Sequence, residues 1–164
     1  MTFKKFLAAL AAFFLLSTVI VQAQIPSFQL KDINGKTVDT ATLQNDGKPF
    51  IISFFATWCH PCLRELTNVS EVYEDWQEET GVKLIAVSID EAQNANKVKP
   101  LVDSKGFEYE VLLDVNSDLA RAMGVQNIPH VFLFDGEGKM VYTHIGYKNG
   151  DELELYEHVK QLTE

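Results

Sequence analysis

Cys59 and Cys62 are the only cysteines in the 164-residue chain, two residues apart in Trp58-Cys59-His60-Pro61-Cys62. Two thiols at that spacing suit reversible electron exchange, because one sulfur can attack while the other waits to resolve the intermediate. A structural staple is a weaker reading, since chain-entropy models give a disulfide closing so small a ring only about 2 kcal/mol. A structural zinc ion would want four ligands. With no second cysteine pair, such a site would have to recruit His60 and His130.

The elements around the pair are legible in outline. It directly follows the apolar run Pro49 to Ala56, and Phe50 to Phe55 reads as a strand buried on both faces. After it, from Pro61 to Thr80, Leu63, Leu66, Val69, Val72, Tyr73 and Trp76 recur at helical spacing, and Gly81 ends the run. Val82 to Ile89 is a second buried strand, and Glu91 to Ser104 a helix interrupted near Pro100 and closed by Gly106. Tyr109 to Leu113 is a further strand and Ser117 to Met123 a short helix. Phe28 to Leu30 with Thr37-Val38 predicts a leading hairpin, and Val131 to Phe134 with Lys139 to Ile145 another, turning at Gly136-Glu137-Gly138. Asp151 to Leu162 is the final helix. This order predicts an α/β protein with a central mixed β-sheet flanked by helices. The dithiol would lie at the carboxyl end of a central strand, where open α/β sheets carry their chemistry.

Residues 1–23 read as an export signal, with Lys4 and Lys5 before an apolar stretch from Phe6 to Val21 and small residues in Val21-Gln22-Ala23. Sixteen residues are short for a bilayer-spanning helix, which needs about 20, but an uncleaved anchor formed by residues 6–21 is the alternative. Residues 24–164 then form one domain, exported to the periplasm or envelope. Without the leader, 12 basic residues face 23 acidic ones, so the formal charge moves from -9 to about -11. Such a surface repels phosphate backbones, which excludes nucleic acid as a partner. A single cysteine pair in an exported chain rich in Phe, Ile, Leu and Val is not a folding framework. It is there to react.

Phe54-Phe55-Ala56-Thr57-Trp58-Cys59-His60-Pro61-Cys62, followed by Gly124-Val125-Gln126-Asn127-Ile128-Pro129 and Val131-Phe132-Leu133-Phe134-Asp135-Gly136-Glu137-Gly138-Lys139, resembles the thioredoxin superfamily. The leading hairpin and an inserted helix-strand element between Ile89 and Val115 are similar to the exported TlpA-like and ResA-like thiol:disulfide oxidoreductases. The resemblance implies a thioredoxin-like fold and a cis peptide at Ile128-Pro129. It also implies reduction of protein disulfides, in cytochrome c maturation among other settings, with electrons from a membrane donor. No cofactor beyond the Cys59-Cys62 dithiol/disulfide and no resident metal are expected, and the chain is expected to be a monomer.

Cys59 precedes the helix and faces its free N-H groups, which makes it the expected nucleophile, and Cys62, one turn deeper, the resolving thiol. Trp58, His60 and Pro61 are read as redox tuning: Trp58 packing over the dithiol, His60 adding positive charge, Pro61 stiffening the first turn. Thioredoxins carry a buried Asp at the position of Ser53, and a serine cannot replace it as a proton acceptor. Glu65, which matches an acid of the ResA-like group, lies three residues after Cys62 and shares its helix face, so it is the expected proton-handling catalytic residue. Ile128, Pro129 and His130 are the candidate substrate-binding residues, Ile128 through backbone groups that an extended substrate can pair with. A copper metallochaperone using Cys59, Cys62 and His130 is the alternative function. His144 and His158 are read as structural or solvated.

Overall fold

The computed structural model describes residues 25–164, so the leader expected at residues 1–23 lies outside the described residues. Seven strands form one sheet: β1 (Gln29–Asp32), β2 (Thr37–Asp39), β3 (Phe50–Phe55), β4 (Lys83–Ser88), β5 (Glu110–Leu113), β6 (His130–Phe134) and β7 (Met140–Ile145), in the order β2-β1-β5-β4-β3-β6-β7. β3, β4 and β5 run parallel, while β6 pairs antiparallel with β3 and β1 pairs antiparallel with β5. The expected mixed sheet, both hairpins and the inserted strand β5 are therefore all present. No helix among the described residues is long and apolar enough to cross a membrane.

Alternation along the strands divides the core in two. Ile51, Phe55, Leu84, Ala86, Val111, Val131 and Leu133 face the helices α1 (His60–Ser70), α2 (Tyr73–Thr80), α3 (Val98–Lys105) and α5 (Asp151–Lys160), in a cluster that includes Cys59, Cys62, Leu66, Leu155 and Val159. Phe50, Ile52, Phe54, Ile85, Val87, Phe132 and Phe134 face the other way, under α4 (Asp118–Ala122) and the segment around Ile25 and Leu43. Because β3 is buried on both faces, every one of its six side chains is core.

Two helices depart from the sequence reading. The run from 61 to 80 is two helices, broken at Val72, where φ is -125° and ψ 4°. The hydroxyls of Thr67 and Ser70 donate to the carbonyls of Leu63 and Thr67, competition with the helical ladder that bends helices. Residues 91–97 form turns and a short 3-10 segment, and α3 begins only at Val98. Pro100 falls in its first turn, where the missing N-H is not needed, so the irregularity precedes the proline instead of sitting on it.

Candidate active site

β3 delivers the chain to the dithiol through the turn Ala56-Thr57-Trp58. Ile89 N-H donates to the Phe55 carbonyl at 2.9 Å and Cys59 N-H to the Ala56 carbonyl at 3.0 Å, which closes the turn. Asp90, 1% exposed, accepts from the Thr57 N-H at 2.8 Å, the Thr57 hydroxyl at 2.7 Å and the Ser88 hydroxyl at 2.8 Å. A carboxylate at the end of β4 thus clamps the residue two before the first cysteine. Sequence reasoning missed it. The available signal was an acid closing an otherwise buried strand that runs beside β3.

Cys59 is the N-cap of α1, and its Sγ accepts the Cys62 N-H at 3.3 Å. The arrangement places the sulfur where the unpaired first-turn N-H groups and the positive end of the helix dipole favour a thiolate. In the structure the two sulfurs are bonded as a disulfide, with both residues in the core cluster. Cys59 Sγ lies 3.9 Å from the Ile128 carbonyl oxygen, and the Ile128-Pro129 peptide is cis, as the resemblance implied. Beside it, Trp58, Ile89, Ser117, Arg121, Val125 and Ile128 line an open groove of about 340 Å³.

Several expected roles need revision. Trp58 is 63% exposed on the turn before Cys59, where it walls the groove. His60 is exposed at the start of α1, and Pro61 occupies its first turn as expected. Of the three substrate-binding candidates only Ile128 offers surface, for Pro129 and His130 are buried. His130 belongs to the opposite sheet face: its ring stacks on Phe132 at 4.2 Å, whereas its neighbour Val131 lies in the cluster with Cys59 and Cys62. It therefore cannot complete a copper site with the cysteines, and among the described residues no three His, Cys, Asp or Glu side chains are grouped to hold a metal. The Thr143 hydroxyl donates to the Val131 carbonyl, so it must accept from His130 Nε2, which leaves His130 Nδ1 buried without a partner. Burial holds the His130 imidazole below the usual histidine range. His144 bonds Asp151 and His158 stacks on Tyr142, both structural contacts.

Glu65 meets the sequence expectation in position and adds a partner to it. It is 4% exposed on the buried face of α1, three residues beyond Cys62, and Ser53 Oγ donates to its Oε2 at 3.0 Å. The serine that cannot itself take a proton thus supports the acid that can. Burial pushes the Glu65 carboxyl up to about 8, against the Ser53 hydrogen bond, and the charges of Asp151 and Glu152 push the same way.

The AhpC/TSA family profile matches residues 21–143 of the chain. The thiol-disulfide oxidoreductase ResA of Bacillus thuringiensis (strain Al Hakam) is 34% identical over 140 residues, which cover 85% of this chain and 77% of that protein. Among solved structures, an uncharacterized thioredoxin-like protein from Porphyromonas gingivalis has a TM-score of 0.78 at 63% identity, covering 87% of this chain and 93% of its own. StoA from Bacillus subtilis has a TM-score of 0.64 at 25% identity, covering 82% and 98%. With its capping sulfur, paired cysteine and cis proline in one place, the chain belongs to the AhpC/TSA family of thioredoxin-like proteins and is a thiol-disulfide oxidoreductase.

Proposed function

We propose that the enzyme works outside the cytoplasmic membrane as a reductant of protein disulfides, apocytochrome c among them, recharged by a membrane-bound dithiol donor. The export part rests on the signal-like residues 1–23 and on the economy of one reactive cysteine pair. The observation that carries the mechanism is Glu65, a buried acid one helical turn beyond Cys62.

In the reducing half, the Cys59 thiolate attacks one sulfur of a substrate disulfide. The substrate S-S bond breaks and its second sulfur leaves with the electron pair. Cys62 then gives its proton to the Glu65 carboxylate and attacks Cys59 Sγ, releasing the remaining substrate thiolate and forming the Cys59-Cys62 disulfide. In the recharging half, a donor thiolate attacks Cys59 Sγ. The bond to Cys62 breaks, Cys62 leaves with the electron pair and takes the proton that Glu65 holds. A second donor thiol then closes the donor disulfide and frees Cys59. One acid serves both halves, because the proton it receives in the first is the one it returns in the second. Substrate enters along the groove walled by Trp58 and Ile128, where backbone groups beside Pro129 can pair with an extended segment. His60, when protonated, adds positive charge beside the Cys59 thiolate.

The direction is tested by the equilibrium reduction potential of the Cys59-Cys62 pair against glutathione. A reductant lies at or below the thioredoxin value of about -270 mV. A potential near that of DsbA, about -120 mV, would make the enzyme an oxidant and overturn the reading.

A further inference from the structure

Glu65 has company on its side of α1. Asn68, one turn further along the same helix face, donates from Nδ2 to the Tyr147 hydroxyl oxygen at 2.6 Å. The Tyr147 hydroxyl in turn donates to Glu152 Oε2 at 2.5 Å, and the Gly150 N-H reaches the same oxygen at 3.0 Å. Next to it, Asp151 accepts the Lys148 N-H at 2.8 Å and faces His144 Nε2 at 3.2 Å and Lys148 Nζ at 3.9 Å. A hydrogen-bonded bridge therefore runs from α1 to the first turn of α5, whose Leu155 and Val159 share the core cluster with Cys62 and Leu66.

The groups that act on Glu65 come from two directions, Ser53 from β3 and Asp151 and Glu152 from α5, while Tyr147 in the loop before α5 and Tyr109 just before β5 are near enough to feel its charge. Cys62 lies on its own helix face. Of these only the Ser53 hydroxyl favours the charged form of Glu65, while Asp151 and Glu152 oppose it. Acidic residues in a first helical turn ordinarily complement the helix dipole. Here the same turn sets negative charge against a buried acid. Burial and the neighbouring Glu152 push the Tyr147 hydroxyl up as well, so it stays a donor and keeps the bridge closed.

We propose that the Asn68-Tyr147-Glu152 bridge is a positioning device: it seats the acidic first turn of α5 against α1, so that Glu65 keeps its proton in the oxidised enzyme until Cys62 leaves the disulfide and takes it. The inference rests on the proton role of Glu65 proposed above. Neither Tyr147 nor Glu152 touches the reacting sulfurs; both act through Glu65. The bridge ties α1, which carries the dithiol, to a helix that contributes no atom to the chemistry.

The test is a ¹³C NMR titration of the Glu65 carboxyl in the oxidised, full-length protein, read beside the pH profile of disulfide reduction by dithiothreitol. Glu152→Gln should lower the Glu65 midpoint by about half a pH unit or more, and Tyr147→Phe, which keeps both carboxylates but opens the bridge, should lower it by less. The rate profile should move with the midpoint. Glu157→Gln, an equal loss of charge from the exposed face of α5, should leave both unchanged. A Glu65 midpoint that stays in place in Tyr147→Phe overturns the bridge, whatever Glu152→Gln does through its charge, while leaving the role of Glu65 intact. If Glu65→Gln keeps the inflection in the rate profile, the role of Glu65 itself fails, and the NMR midpoints still report on the bridge.

Discussion

Asp90 and Glu65 are two buried acids near the dithiol segment, one bonded to the turn before Cys59 and one on the helix after it, and their surroundings differ in kind. Asp90, at the end of β4, is ringed by three donors from Thr57 and Ser88 that meet the cost of its burial. Glu65, against the middle of β3, has one hydroxyl donor, with two carboxylates of α5 working against it. The first region fixes a turn, and the second is the proton store of the mechanism proposed above. Burial alone does not fix the role of an acid; the donors and charges around it shift the balance between its charged and neutral forms.

The larger effect follows from Glu65. Its folded-state value, about 8, lies above the ordinary 4.5, so between those limits the folded chain binds a proton that the unfolded chain has released. The stability this group contributes is fully present below about pH 4.5 and is lost as the pH rises through about 8. Urea unfolding of the oxidised protein at about pH 5 and about pH 8 should show a loss of about 4 kcal/mol from this source, absent from Glu65→Gln. If the gap between parent and variant does not change with pH, the two acids are alike after all.

A smaller effect should follow from Asp90. Asp90→Ala strands the half-buried Thr57 N-H and the buried Ser88 hydroxyl and should cost about 1–3 kcal/mol of stability. Asp90→Asn, whose amide can still accept from Thr57 N-H and donate to the Thr57 hydroxyl oxygen, should cost about 1 kcal/mol. Circular-dichroism melts check both, and neither variant should alter the pH dependence that Glu65→Gln removes. An Asp90 variant that flattened that dependence would merge the two regions into one.

Most of this site was legible because its signals are local. A dithiol after an apolar strand, a proline in the first helical turn and an acid at i+3 depend on spacing along one chain segment, and the cis bond at Pro129 came with the family resemblance. What escaped depends on pairing at long range. Asp90 meets Thr57 across 33 residues and Asn68 meets Tyr147 across 79, contacts that only the sheet order and the α1-α5 packing create. The break at Val72 hid because Val69, Val72, Tyr73 and Trp76 keep nearly helical spacing through it. His130 misled because the strand register turns successive residues to opposite faces, and proximity to Pro129 in sequence does not say which face a side chain takes.

In the proposed mechanism Cys59 attacks, Cys62 resolves, and Glu65 handles the proton of the second step alone. Stopped-flow single turnovers of the reduced, full-length protein with a disulfide peptide separate the two phases. Cys62→Ser should show the first phase only and accumulate a mixed disulfide through Cys59. Glu65→Gln should keep the first phase within about threefold while slowing the second by about 10²-fold or more. A second phase that runs at the parent rate in Glu65→Gln would remove Glu65 from the resolving step.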